Sequence, residues 1–436
     1  MQKKIIALVI IIIPISIGII IGIYFGIANQ IEISEDNDKF DNIFGIASSK
    51  YAEITKFYTF GTSLGFEGSI SSISEDNFEG VKVLVTDGEN YNELYDANFS
   101  FEDENLYFET EYINDFIDLE NLEVNKYYVL IRLKLNNSKD YKYYLLSNSS
   151  DYSDIEYYTL TKNETNNKIS IKFENLDYND KNYSYLGLTV EESILPDDVY
   201  DFVIDAGHGG TDDGETYSGY TESDLMLEYA EVLKTALENK GYKVKLTRDS
   251  SNTDSFTATN MYSENGRITI ACESKSKYMI SLHLNPKSST YSGFEIYTPN
   301  NCNLNLASIM ATNIANTGLS YSNYTGFKVQ DGIYTKNYTQ TMISETTATA
   351  ESKGYEPYSL TTNTPYLYTI REVGGIATNA YVDGRNTSYD ANKYYNSNQG
   401  IECYQIFIGY FNNDLDYILN NKEIFANAIA EAFDNW

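Results

Sequence analysis

The pattern of apolar and polar residues divides the chain into four segments, and the first is an unbroken apolar run. Lys3 and Lys4 precede this run, which covers residues 5–28. As a helix at about 1.5 Å per residue it would be roughly 36 Å long, enough to cross the ~30 Å hydrocarbon layer of a bilayer. We therefore expect residues 1–29 to form a transmembrane anchor, with the two lysines on the cytoplasmic side. A cleaved signal peptide ending at Gly26-Ile27-Ala28 is the alternative.

The next two segments are an acidic stretch and a longer region with a β pattern. Residues 30–55 are polar and acidic and are predicted to be a linker. Over residues 56–196, short runs rich in β-branched and aromatic residues, such as 127–133, alternate with turns of Asn, Asp, Ser and Gly. This spacing predicts an all-β, sandwich-like accessory domain. Such a domain could be a spacer or packing module, or it could carry a carbohydrate-binding surface.

Residues 197–436 change to an alternation of strands and helices. We predict strands at residues 199–205, 243–248, 278–284 and 366–371, and helices at 223–240, 266–274, 304–316 and near 424–433. Such alternation is typical of an α/β fold with a mostly parallel sheet and helices on both faces. In a sheet of this kind, functional groups lie beyond the carboxyl ends of the strands.

Both histidines of the chain, His208 and His283, end apolar runs with the pattern of a buried strand. Two strands that end in imidazoles indicate a metal site at the carboxyl edge of the sheet. Catalytic zinc usually takes three protein ligands and a water, so a carboxylate is needed as well. Glu222, which immediately precedes the predicted helix after His208, is the candidate. The alternative is an acidic residue that complements the helix dipole.

Glu372 is the candidate for a catalytic carboxylate. It follows an apolar segment and precedes Gly374 and Gly375. A carboxylate in such a position is costly unless it is paired or functional. Beside a metal-bound water it would act as a general base and then protonate the leaving group. A salt bridge with Arg371 or another arginine is the alternative, and the spacing does not decide between the two.

Composition narrows the range of partners. The formal charge of −32 argues against a nucleic-acid partner, because phosphate-binding surfaces need clustered Lys and Arg. Cys272, Cys302 and Cys403 are widely spaced and form no CxxC pair, so a thiolate zinc site is not expected. We expect all three to be small buried residues.

Seven short motifs point to a known family: IDAGHGG (204–210), GYTE (219–222), LTR (246–248), RITIA (267–271), ISLHLN (280–285), GFEIY (293–297) and IREVGGIATN (370–379). Through them, residues 197–436 resemble the catalytic domain of the zinc-dependent N-acetylmuramoyl-L-alanine amidases, the amidase type 3 family. The resemblance implies that His208, Glu222 and His283 bind Zn²⁺ and that Glu372 is catalytic. It also implies that the substrate is peptidoglycan, cut at the amide between N-acetylmuramic acid and L-alanine.

The sequence as a whole therefore predicts a wall amidase in the cell membrane, single-pass, with an extracytoplasmic catalytic domain. Its expected partners are peptidoglycan and, through the N-terminal helix, the membrane. One alternative is a peptidoglycan-binding module that keeps the fold without the activity, and another is a zinc hydrolase acting on a peptide cross-link.

The remaining expectations concern the surroundings of the site. We expect Arg248 and Arg267 to be structural, and Asp205 and Asn285 to orient the metal ligands. Residues 339–363 exceed the usual spacing of the family and are expected to form a polar loop near the site.

Overall fold

The computed structural model describes residues 47, 50–110, 116–136, 138–148, 153–161, 165–178, 180–249, 262–300, 302, 304–354, 357–375 and 399–434. Strands make up 42% of these residues and helices 23%. The protein is therefore mostly β-structure. The predicted fold class, a transmembrane helix and an all-β sandwich-like domain followed by a mostly parallel α/β domain, is wrong for the molecule as a whole.

The N-terminal region is built from strands. They are β1 (Ala52–Phe60), β2 (Ser63–Ser71), β3 (Phe78–Thr86), β4 (Asn92–Glu102), β5 (Asn105–Thr110), β6 (Ile117–Asp118), β7 (Lys126–Leu135), β8 (Tyr141–Asn148), β9 (Ile155–Tyr158), β10 (Asn166–Tyr178) and β11 (Lys181–Ser193). Buried and exposed residues alternate clearly in β5, as expected when one face of a sheet covers a core.

These strands close into a ring in the order β1–β2–β5–β4–β3–β7–β8, and β8 returns to β1. The closing contact is parallel and pairs Ala52 with Leu146, whereas the other pairs in the ring are antiparallel. Ile54, Phe66 and Ile131 lie in the apolar interior. The sandwich-like arrangement expected for residues 56–196 is therefore corrected to one closed sheet, because β8 reaches around to β1.

The C-terminal region mixes strands and helices. Its elements are β12 (Phe202–Ala206), β13 (Thr216–Tyr217), β14 (Tyr220–Thr221), α1 (Glu222–Glu238), β15 (Val244–Leu246), α2 (Arg267–Glu273), β16 (Tyr278–Asn285), β17 (Glu295–Tyr297), α3 (Leu304–Asn316), β18 (Lys328–Gln330), β19 (Ile333–Tyr334), α4 (Gln340–Ser352), α5 (Tyr368–Val373), β20 (Gln399–Gly400), β21 (Glu402–Tyr410), α6 (Leu415–Asn420) and α7 (Lys422–Asp434).

One sheet organises this region, with the strand order β15–β12–β16–β21–β17–β19–β18. The strands β15, β12, β16 and β21 are parallel to one another, while β17 joins β21 antiparallel and β18 joins β19 antiparallel. The sheet is thus parallel on one side and mixed on the other. Apolar side chains of α1, α3 and α7 cover one face, and those of α2 and α5 cover the opposite face.

Two predicted elements differ from the structure. The strand expected at residues 366–371 is the helix α5, and the loop expected at 339–363 contains the helix α4. Thr339 caps α4 by accepting a hydrogen bond from the backbone N–H of Met342. The predicted helices at 266–274 and 304–316 are confirmed as α2 and α3.

The anchor predicted for residues 1–29 and most of the linker at 30–55 lie outside the described residues. Within the described part of the chain, none of the helices combines the length and the apolar character needed to span a bilayer. The described helices thus do not support the predicted single-pass topology and cell-membrane location.

The two regions contact each other through strands and buried polar groups. The strand β20 pairs with β1, so a strand from beyond residue 197 joins the N-terminal sheet. Asp201 accepts a hydrogen bond from the backbone N–H of Thr161 at 3.1 Å and forms an ion pair with the buried Lys277 at 3.5 Å. These contacts join the two regions across the domain boundary predicted between residues 196 and 197. The boundary remains a prediction.

Candidate metal centre

Three side chains meet at the carboxyl edge of the C-terminal sheet. His208 follows β12, His283 lies near the end of β16, and Glu222 is the first residue of α1. The Oε1 atom of Glu222 is 3.1 Å from Nε2 of His208 and 3.4 Å from Nδ1 of His283. One ligand atom from each residue lies within 4.8 Å of the other two. The structure thus brings together the three metal ligands predicted from the sequence.

Glycines allow the backbone to bring these ligands close together. His208 itself has a φ of +60°, a left-handed conformation that is uncommon for a residue with a side chain. A Cβ atom on Gly207 would lie 2.5 Å from Cε1 of His283, and one on Gly214 would lie 2.7 Å from Cδ2 of His208. Any larger residue at these two positions would therefore displace a ligand ring.

Two buried arginines hold the loop that carries His208. Arg248 donates to the carbonyl oxygens of Ala206 and Gly207 at 3.0 and 2.9 Å. Arg267 donates to the carbonyl oxygen of His208 at 2.9 Å and forms a 2.6 Å ion pair with Asp205. The prediction that both arginines are structural is confirmed by these contacts.

Asp205 lies beneath the ligands and is fully buried. Besides Arg267, the hydroxyls of Thr247 and Ser281 donate to it at 2.8 and 2.7 Å. Burial alone would raise its pKa, but the positive charge of Arg267 and these hydrogen bonds hold the pKa below its usual value. Asp205 therefore ties β12 to β16, the two strands that carry the histidines, rather than touching either ligand directly.

Further hydrogen bonds orient the ligand atoms. Nδ1 of His208 lies 2.9 Å from Oδ2 of Asp212, which leaves Nε2 for a metal. The backbone N–H groups of Leu284 and Glu215 donate to the two carboxylate oxygens of Glu222 at 2.8 and 3.1 Å. A carboxylate behind a ligating imidazole and fixed ligand oxygens are typical supports of a metal site.

The electrostatics of the cluster favour an ionised carboxylate. Burial would raise the pKa of Glu222, but the hydrogen bonds to His208 and His283 and their charges lower it well below the usual range. For His208, burial would lower the pKa, and the contacts with Glu222 and Asp212 raise it instead. The carboxylate is thus in the form that binds a cation.

Glu372 does not belong to this cluster. The hydroxyl of Thr369 donates to Oε1 of Gln405 at 2.9 Å, and the N–H of Ile401 donates to the carbonyl of Val373 at 3.1 Å. Since α5 therefore runs antiparallel to β21, Glu372 lies towards the amino end of β21. His283 instead pairs with Phe407, towards the carboxyl end of that strand.

The surroundings of Glu372 match the alternative interpretation of this residue, a salt bridge with an arginine. It is fully buried and forms a 2.9 Å ion pair with Arg371. The hydroxyls of Tyr262 and Tyr358 also donate to its carboxylate. Burial and the negative charge of Glu372 raise the pKa of both tyrosines, so both remain proton donors. Glu372 is thus held in a buried ion pair on one face of the sheet.

Sequence reasoning missed two residues beside the ligands. Phe407 packs against His283 with a ring-centroid distance of 5.6 Å, and the strand that carries it was not predicted. Asp212 follows His208 by four residues, a spacing that could have suggested a support for the imidazole. Asn285, predicted to orient the ligands, is buried, and its Nδ2 atom makes no hydrogen bond within the described part of the chain.

The donor set suits zinc. Two imidazole nitrogens and one carboxylate oxygen are the ligands of one common class of catalytic zinc site, which keeps a fourth position open for water or substrate. Both histidine side chains are only partly buried. Fold and site together define an α/β-type C-terminal region in which His208, Glu222 and His283 could hold a metal ion.

The family is identified by a match to the model of the N-acetylmuramoyl-L-alanine amidases over residues 202–435. That range covers more than half of the 436 residues, and the chain therefore belongs to this family of hydrolases. None of the curated proteins is similar enough to this chain to count as a match.

The chain is also similar to several amidases of known structure. The N-acetylmuramoyl-L-alanine amidase AmiC2 of Nostoc punctiforme is 18% identical, with 54% of this chain and 94% of that chain covered and a TM-score of 0.33. Cwp6 from Clostridium difficile is 21% identical, with 54% and 29% covered and a TM-score of 0.35. Ami1 from Mycobacterium smegmatis is 13% identical, with 54% and 94% covered and a TM-score of 0.31. The family assignment rests on the family match and not on these similarities.

Proposed function

We propose that the chain binds zinc through His208, Glu222 and His283 and hydrolyses the amide between N-acetylmuramic acid and L-alanine in peptidoglycan. The observation that carries the proposal is the convergence of these three ligand atoms at the carboxyl edge of the sheet. Family membership supports the reaction type. Zinc in such a donor set supplies Lewis-acid activation of a carbonyl group and of water.

The chain's own residues have separable roles in this proposal. Glu222 and the two histidines hold the cation, and Asp212 keeps the His208 ring in the orientation that presents Nε2. Arg248 holds the backbone just before His208 through the carbonyl groups of Ala206 and Gly207, and Arg267 holds the carbonyl group of His208 itself. The role of general base, which is predicted for Glu372, would require its buried ion pair with Arg371 to open.

This position of Glu372 favours a second candidate function, metal-dependent binding of peptidoglycan without turnover. The side chain next to His283 on the adjacent strand is the ring of Phe407, which can neither take nor give a proton. A metal site that lacks a proton carrier would bind its substrate and release it unchanged.

Digestion of purified peptidoglycan by the full chain tests both candidates, with zinc content measured in each protein. Wild type is expected to carry zinc and to release stem peptides that begin with L-alanine, and His283→Ala is expected to lose both properties. Zinc and wall binding without release of peptides would instead support the second candidate. A protein without zinc would contradict both.

The role of Glu372 is decided by comparing Glu372→Gln with Glu295→Gln. Glu295 is an equally buried carboxylate that accepts hydrogen bonds from Ser322, Tyr297 and Tyr410, and it provides the matched control. If Glu372 is the general base, only Glu372→Gln loses hydrolysis while zinc content and thermal stability are kept. If Glu372 is structural, Glu372→Gln loses hydrolysis only in proportion to its loss of thermal stability.

A further inference from the structure

Solvent reaches the sheet beside the metal centre at two neighbouring residues, His283 and Phe407. In β21, all nine residues of which the structure describes, Phe407 is the one that is partly exposed. In β16, which is also described throughout, His283 is the one that is partly exposed. The two residues are register partners on adjacent parallel strands, so their side chains point to the same face of the sheet. Beside this metal ligand, the sheet therefore presents the ring of Phe407.

The ring of Phe407 is held in place from both sides. On one side its centroid is 5.6 Å from that of the His283 ring. On the other side Tyr297 packs edge-on against it at 5.4 Å, and Tyr297 in turn stacks on Tyr334 at 5.3 Å. The hydroxyl of Tyr297 donates to the buried Glu295 at 3.0 Å, which fixes this tyrosine. A ligand would therefore not have to order Phe407 on binding.

The phenyl ring sets the polarity of this side of the metal centre. Glu295, the register partner of Phe407 on β17, is only 1% exposed, and its carboxylate accepts hydrogen bonds from Ser322, Tyr297 and Tyr410. A polar group placed against Phe407 would lose water without gaining a hydrogen bond from the ring. An apolar group would gain from burial. This side of the site therefore favours an apolar group.

The chemistry of amide hydrolysis indicates which part of a substrate meets this ring. The leaving amine takes up a proton as the C–N bond breaks, so it needs a proton donor beside it. Because a phenyl ring has no proton to give, Phe407 suits the acyl side of the amide. In N-acetylmuramic acid the acyl side is a lactyl group, which carries a methyl group on the carbon next to the carbonyl. That methyl is a small apolar group of the kind the ring favours.

We propose, on the basis of the proposed function, that Phe407 is a specificity-determining residue. Its ring forms the apolar wall against which the lactyl methyl packs when the lactyl carbonyl oxygen lies at the metal centre. Phe407 thereby selects lactyl groups over glycolyl groups, which lack the methyl. This selection acts on binding, so it holds for hydrolysis and equally for binding without turnover.

The test is a calorimetric titration of the zinc-loaded full chain with two hydroxamic acids that differ only in this methyl group. Lactohydroxamate carries it and glycolohydroxamate does not, while both offer the same pair of oxygen atoms to a metal. Wild type is expected to bind lactohydroxamate about three- to fivefold more tightly, the effect of burying one methyl. Phe407→Ala is expected to bind both probes equally. Phe407→Leu, which keeps an apolar wall, is expected to retain the preference.

Phe173→Ala is the matched control, because Phe173 is also a partly buried phenylalanine against an apolar core but lies in the N-terminal region. It is expected to show the preference of wild type. Phe407→Gln fills a similar space with a polar amide and is expected to lose the preference, which keeps the test decisive if Phe407→Ala unfolds.

Zinc content, measured before each titration, separates failure of this proposal from failure of the proposed function. Equal affinity of zinc-loaded wild type for the two probes would overturn the role of Phe407 and leave the metal centre standing. So would an unchanged preference in a folded, zinc-loaded Phe407→Ala or Phe407→Gln. A wild-type protein that binds no zinc would overturn both.

Discussion

The position of His208 depends on its left-handed backbone and on two arginines that donate to the carbonyl groups of Gly207 and of His208 itself. Asp212 lies behind the imidazole ring and pairs with its Nδ1 atom. The arginines act on the backbone, so they set where the residue lies. Asp212 acts on the ring, so it sets which nitrogen faces the cation. Position and orientation of this ligand are therefore controlled by different side chains and can be perturbed separately.

Replacement of Asp212 by Asn tests the control of orientation. Because a carboxylate behind a ligating imidazole fixes the ring and raises its basicity, Asp212→Asn is expected to weaken zinc affinity about 10–100-fold. Competition with a chelator of known affinity measures the change. Asp213→Asn is the matched control, since Asp213 is the exposed neighbour. Equal zinc affinity of the two variants would show that Asp212 does not orient His208.

At the scale of elements, Gly214 allows the segment that joins β12 to α1 to pass close to the ligands His208 and Glu222. An added Cβ would lie 2.7 Å from the His208 ring and 2.9 Å from Cβ of Glu222, and φ is +67°. Gly214→Ala is therefore expected to displace both ligands and to lower zinc affinity, measured by the same competition. Gly219 in the same connection has a φ of +87° but open space around it. Gly219→Ala should cost about 1 kcal/mol in stability through its backbone conformation, with zinc affinity unchanged.

The elements that carry the metal ligands could be predicted from the sequence because their patterns are local. An apolar run ending in His predicts a strand end, and helical spacing after Glu222 predicts α1. The strand β21 escaped prediction because its buried Glu402 and Gln405 interrupt the apolar pattern. Because the pattern does not predict β21, it predicts a strand around residues 366–371, where the structure has the helix α5. The ion pair of Glu372 forms with Arg371, an alternative that the sequence spacing leaves open.

The closed sheet illustrates a second limit of prediction from sequence. Each strand of the N-terminal region follows a local pattern, but the contact that closes the ring joins Ala52 to Leu146. Pairing between strands so far apart depends on the whole packing and not on either strand's residues. The choice between two packed sheets and one closed sheet therefore could not be read from the pattern of residues.

At the scale of the whole molecule, the two regions share a core and a buried polar contact. Phe60, Phe116 and Leu160 of the N-terminal region belong to the same apolar cluster as α1 and α7. The buried Lys277 pairs with Asp201 and donates to the carbonyl of Thr159 at 3.4 Å, with its pKa lowered because burial outweighs these contacts. The regions are therefore expected to unfold together rather than one after the other.

Glu402, at the start of β21, makes the stability of the contact between the two regions depend on pH. It lies against Gly61 of the N-terminal region, and Tyr404 donates a hydrogen bond to it. Burial raises its pKa from 4.5 to about 7, although the bond from Tyr404 opposes the shift. Between these two values the folded protein keeps a proton that the unfolded chain has released, so stability falls as pH rises from about 4.5 and levels off above about 7.

The size of this effect follows from the pKa difference, since one unit corresponds to about 1.4 kcal/mol. Ionisation of Glu402 should therefore cost about 3 kcal/mol of unfolding free energy by pH 8. Other carboxylates also titrate, so the measurement is the difference between wild type and Glu402→Gln in urea unfolding at pH 5 and pH 8. Because Gln cannot ionise, the variant is expected to gain about 2.5 kcal/mol on wild type between pH 5 and pH 8, since part of the loss in wild type already occurs below pH 5. If the difference between the two proteins were the same at both pH values, the carboxylate would be ionised throughout, and a cation or water at the junction would have to stabilise it.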